Sequence, residues 1–124
     1  QYRQAAEILR PYLGDHPDQF TLAAGDVGVL GYYTGARILD TVGLNSPQTL
    51  RYYPLDESFY VINYAVPPDL VLEEQPDFVV LLEVYGRAGL FPSPEFQRAY
   101  TLLRKLPSEI YGSDGMLIFA RNTP

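Results

Sequence analysis

Residues 25–44 read Gly-Asp-Val-Gly-Val-Leu-Gly-Tyr-Tyr-Thr-Gly-Ala-Arg-Ile-Leu-Asp-Thr-Val-Gly-Leu, and they concentrate the residue types that handle phosphates and sugars. A strand leading into a glycine-rich turn, then a helix, then a second strand ending in an acid describes half of a dinucleotide-binding unit. In such a unit the pyrophosphate rests on the helix N-terminus and the acid, here Asp40, holds the ribose. Three details oppose that chemistry. The spacing Gly25-x-x-Gly28-x-x-Gly31 is not G-x-G-x-x-G. The helix before Asp40 has room for only about two turns. Asp26 would place a carboxylate where the pyrophosphate should sit, and like charges repel. A P-loop is excluded because no Gly-Lys-Ser/Thr occurs.

A scaffold reading accounts for the same residues. Gly25, Gly28, Gly31 and Gly35 then serve turns and close packing, Asp26 caps a helix, and Asp40 with Gly43 orders the loop after the second strand. Other chemistry is sparse. The single histidine, His16, stands in a turn motif without a second His or any Cys, so no transition-metal site is expected. No G-x-S-x-G occurs. Glu83 follows an apolar strand at the carboxyl end, where α/β sheets place ligands, and Asp40 belongs to the same end. Two carboxylates there would do acid and base work, or would simply be solvated loop acids. Tyr32, Tyr33, Tyr52, Tyr53 and Tyr85 offer flat faces to a sugar ring, or close a core with the hydroxyl outward. No cofactor is expected.

The charge balance narrows the partners. Fifteen acidic residues against nine basic ones give a net charge of −6 with no basic stripe, which argues against nucleic acid. With no cysteine, disulfides and thiolate chemistry are excluded. A length of 124 residues suits one domain with a core. No apolar run approaches the length of a membrane span, and residues 1–20 lack signal-peptide order. The start at Gln1 reads as an excision from a longer protein.

These residues need elements to position them. Periodicity predicts an amphipathic helix over 2–13 with Tyr2, Ala5, Ala6, Leu9, Tyr12 and Leu13 on one face and a bend or end near Pro11. A turn over 14–19 leads to a strand at 20–24, a brief helix from Asp26 to about Tyr33, and a strand at 37–40. Asn45-Ser46-Pro47 suggests a helical turn, and 57–65 another helix. Pro67-Pro68-Asp69 opens a helix over 70–74, and Phe78–Leu82, apolar throughout, is a central strand. Ser93 caps a helix begun by Pro94. Residues 101–106 and 109–111 read as a broken strand, turned by 112–115 into a last strand at 116–121. The sum is an α/β layered domain: a mixed sheet, parallel in its first half, with short helices and a C-terminal antiparallel hairpin.

The order of Gly25-Asp26, Gly31-Tyr32-Tyr33, Asp40-x-x-Gly43-Leu44, then Gln75-Pro76-Asp77-Phe78-Val79-Val80, then Pro94-Glu95-Phe96 with Tyr100, and the hairpin over 111–121 resembles a known kind of domain. It is similar to the extracytoplasmic C-terminal region of bacterial multi-spanning glycosyltransferases, of the dolichyl-phosphate-mannose-protein mannosyltransferase and aminoarabinose transferase type. The resemblance implies a parent membrane enzyme that moves a sugar from a polyprenyl-phosphate donor. Its catalytic carboxylate would lie in a loop near the first membrane helices, outside these residues, so this chain itself is expected to be non-catalytic. Expected partners are the protein's own membrane-embedded N-terminal region and a glycan or lipid-linked sugar. A stand-alone carbohydrate-binding or protein-interaction module, and a small nucleotide-binding domain, remain as alternatives.

Overall fold

The computed structural model of the chain describes residues 2–24, 30, 31, 34–41, 66–107, 113 and 115–122. The first helix, α1 (Tyr2–Leu13), buries Ala5, Ala6, Leu9 and Leu13 and turns Arg3, Glu7 and Arg10 outward. Pro11 is accommodated in its last turn without ending it. Tyr12 departs from the expected face: it is 52% exposed and meets the Phe78 ring in an edge-on contact, with centroids 6.3 Å apart. At 3.6 residues per turn it lies roughly 75° from the middle of the buried stripe, far enough to reach the rim.

A short 3-10 turn (Pro17–Gln19) leads into β1 (Thr21–Ala24). Leu30, Gly31 and Thr34 are helical, and Thr34 returns its hydroxyl to the Leu30 carbonyl at 2.6 Å. Gly31 lies so near the sheet that a Cβ there would stand 3.3 Å from Ile38, as close packing of this helix demands. Gly35 then turns at φ +73°, a conformation natural to glycine, and delivers the chain to β2 (Arg37–Asp40). The helical turn expected at 45–47, the helix at 57–65, the strand continuation at 109–111, residues 112 and 114 of the expected turn, and Tyr52 and Tyr53 lie outside the described residues.

Further on come α2 (Pro68–Glu74), β3 (Phe78–Leu82), α3 (Glu83–Gly86), α4 (Pro94–Ala99), β4 (Tyr100–Leu106) and β5 (Met116–Arg121). Proline opens both α2 and α4, where its missing N–H has no intrahelical partner to lose. Ser93 caps α4 by accepting from the Phe96 amide at 3.3 Å. The four-residue α3 was not expected, and it converts Glu83 from a loop residue into a first helical residue.

The strands form one sheet in the order β2-β1-β3-β5-β4. β1 pairs in parallel with β2 and β3, while β5 pairs antiparallel with β3 and β4. The expected mixed α/β architecture is the observed one. β3 is buried along its whole length because both sheet faces are covered. One face packs Phe78, Val80, Leu82 and Ile118 against α1; the other packs Val79, Leu81, Ala23 and Leu39 against α2 and α4. Each fully buried Leu, Val or Phe contributes about 1.5–3 kcal/mol, so these two layers dominate stability.

Candidate functional site

The three parallel strands end at a common carboxyl edge, the place where the sequence points to a site. Asp40 closes β2 and sits in register with Ala24, which is in register with Val80 on β3. Glu83 lies three residues past Val80, so β1 stands between the two acids and their backbones are about 14 Å apart. They share an edge, with a strand between their backbones. The Glu83 carboxylate is taken by Arg87 one helical turn on, which donates Nε at 2.8 Å and Nη2 at 2.6 Å. Gly25, Asp26, Gly28, Tyr32, Tyr33 and Gly43 lie outside the described residues.

The same edge is braced by a buried serine. Ser113 Oγ accepts from the Val84 and Gly115 amides, each at 3.3 Å, and donates to the Gly115 carbonyl at 3.0 Å. It thereby satisfies an amide of the first turn of α3, which a four-residue helix cannot satisfy internally.

The opposite, amino edge holds a denser polar construction. Asp77 precedes β3; its Oδ2 accepts from the Thr21 amide at 2.8 Å, and its own amide donates to the Thr21 carbonyl at 2.8 Å. Its Oδ1 accepts from Arg121 Nη2 at 3.0 Å, so one carboxylate ties the start of β1 to the end of β5. Tyr100, at the start of β4, is buried, stacks on Phe96 with centroids 4.9 Å apart, and donates its hydroxyl to the Pro76 carbonyl at 2.6 Å. Burial pushes that hydroxyl well above its ordinary pKa near 10; the Arg121 guanidinium pulls it down less, and Asp77 adds to the rise.

Beside this clamp opens a cleft of about 330 Å³ between α2, the end of α4, and the facing termini of β4 and β5. Val71, Leu72 and Ala99 give it apolar lining, and Gln75, Arg98, Arg121 and Asn122 give it polar lining. Gln75, the C-cap of α2, holds the left-handed conformation at φ 51°. Sequence reasoning assigned no site role to Gln75, Arg98 or Arg121. The sequence signal that could have found them was slight: a glutamine where a helix ends and glycine would be the ordinary residue.

Among the described residues, no cluster of three or more His, Asp or Glu is placed to hold a metal. No described helix is long and apolar enough to cross a membrane. The fold and its two edges define a mixed α/β domain with a two-sided core. Within that class, the chain belongs to the family described as Domain of unknown function (DUF8728), which matches residues 1–119. No curated protein and no solved structure matches the chain.

Proposed function

We propose that the chain is a non-catalytic accessory domain of an integral-membrane glycosyltransferase, standing at the extracytoplasmic face and helping to position the acceptor. The parent enzyme, in this reading, transfers a sugar from a polyprenyl-phosphate donor, and its catalytic residues belong to its membrane-embedded region.

The observation that supports the reading is what the residues of the glycosyltransferase-like pattern do. Asp77 comes from one piece of that pattern and Phe96 and Tyr100 from another, and they spend their polar groups and rings on one another, on Arg121 or on backbone. Asp77 has both oxygens engaged, and the Tyr100 hydroxyl is buried and engaged. Groups committed in this way build a scaffold and leave none of themselves free for proton transfer. A shared pattern made of scaffold residues suits a domain that supports chemistry performed elsewhere.

The test is an in-frame deletion of this domain from the complete gene, with the glycosylated acceptor measured in cells and the remaining protein measured in the membrane fraction. Loss of transfer with normal membrane insertion is the expected outcome. Wild-type transfer by the deleted protein would sink the positioning role. Protease cleavage of the domain in intact spheroplasts checks the location, and a protected product would overturn it.

A further inference from the structure

We propose that the cleft at the amino edge binds an oxyanion carried on a small apolar group, an organic phosphate or carboxylate, through Gln75, Arg98 and Arg121.

Hydrogen-bonding capacity left over on the rim decides the ligand class. Asn122 has both ends of its amide engaged, with Nδ2 donating to the Arg98 carbonyl at 2.8 Å and Oδ1 accepting from Thr101. The Tyr100 hydroxyl is given to Pro76, and the Asp77 carboxylate is given to Thr21 and Arg121. What remains among the described polar side chains of the rim is donors. Arg121 spends two of its guanidinium N–H groups, on Asp77 and on Gln75 Oε1 at 3.5 Å, and a guanidinium has five. That use of Gln75 Oε1 leaves the Gln75 NH₂ as a donor. Arg98 is exposed, lines the cleft, and its guanidinium has no hydrogen bond or ion pair with a described residue. A rim of donors, two of them cationic, matches a group that only accepts, and a phosphate or carboxylate is such a group.

The rest of the cleft fixes the remainder of the ligand. Asp77 offsets the charge of Arg121 and Arg98 adds a second cation on the rim, while Glu73 and Glu74 of α2 are not among the residues that line the cleft. The apolar lining of Val71, Leu72 and Ala99 favours a hydrocarbon next to the anionic head. Gln75 supplies an independent indication. Its φ of 51° is one that glycine holds without steric cost, yet the chain carries a side chain there, and that side chain stands on the rim. The inference needs no glycosyltransferase context, and it can fail or hold separately from the accessory-domain reading.

The test titrates phenyl phosphate, phenylacetate, inorganic phosphate and the neutral control phenylacetamide into the 124-residue chain. Arginine Nε–H and glutamine side-chain amide signals are followed by NMR. Expected are saturable shifts at Gln75, Arg98 and Arg121 with phenyl phosphate or phenylacetate, the tighter of the two naming the head group. Arg98→Gln should weaken binding about fivefold or more, because the exposed guanidinium supplies a charge-assisted bond. Gln75→Gly should weaken binding about threefold while the thermal midpoint stays level or rises, a split that a purely structural role would not give. The proposal is overturned if no probe saturates, if Arg98→Gln binds as wild type does, or if phenylacetamide binds as well as phenylacetate. Binding of inorganic phosphate as tight as that of phenyl phosphate overturns the part assigned to the apolar lining.

Discussion

At the carboxyl edge Arg87 reaches Glu83 four residues away, and Ser113 reaches Gly115 two residues away, with the Val84 amide as the one longer link among these bonds. At the amino edge the bonds of Asp77 to Thr21, Tyr100 to Pro76 and Arg121 to Asp77 span 56, 24 and 44 residues. Short-range pairs shape a surface and are worth little when exposed. Of the long-range bonds, those to Thr21 and Pro76 are partly or wholly buried, and losing one partner of such a bond leaves the other without compensation. Among the described residues, the amino edge thus carries more long-range side-chain bonds than the edge to which the sequence motifs point.

Substitutions at the two edges should separate by size if that contrast is right. The largest effect belongs to Tyr100→Ala, which removes a buried ring from Phe96 and should cost about 3–5 kcal/mol in denaturant unfolding. Tyr100→Phe, which strands only the Pro76 carbonyl, should cost about 1–2 kcal/mol. The pH dependence has a definite sign. Because burial raises the Tyr100 pKa in the folded state, its contribution is complete below the unfolded value near 10 and is lost as pH rises above it. Tyr100→Phe should thus show a shallower loss of stability than wild type on raising the pH through that range.

Asp77→Ala comes next, at about 2–3 kcal/mol, because it leaves the Thr21 amide without its acceptor and removes the ion pair with Arg121. At the other edge Ser113→Ala should cost about 1–2 kcal/mol, as a buried hydroxyl that serves the Val84 and Gly115 amides disappears. Glu83→Gln is the smallest, within about 0.5 kcal/mol, since its partner Arg87 is solvent-exposed. A Glu83→Gln loss equal to that of Asp77→Ala, read from the same unfolding midpoints, would break the comparison.

How much the sequence disclosed follows the range of the interactions involved. Phe78–Leu82 was legible because five consecutive apolar residues fit a strand covered on both faces, and Ser93-Pro94 because cap and first-turn preferences are local. The α1 stripe was legible at Ala5, Ala6, Leu9 and Leu13, while Tyr12 follows the helical period but stands at the exposed rim. Helix α3 was hidden, since four residues carry no periodicity and one of its first-turn amides is satisfied by Ser113 from far along the chain. The cleft was hidden for the same reason: Gln75, Arg98 and Arg121 share no local pattern and meet only after the strands have paired. At the carboxyl edge the sequence placed Asp40 and Glu83 correctly at strand ends, but the intervening β1, which separates their backbones, is a matter of strand order.

Strand β3 stands between a parallel half and an antiparallel half of the sheet, and that position bears on how the chain is made. The hairpin of β4 and β5 joins strands close in sequence, whereas joining β1 to β3 closes a loop of more than fifty residues. A ribosome releases β1 and β2 well before β3 exists. Until then the apolar face that they share with α1 has no central strand to pack beside, so the growing chain passes through a stage open to aggregation. Completion of the sheet waits on the arrival of Phe78–Leu82, and changes that slow its pairing should lower the yield of folded protein more than its final stability.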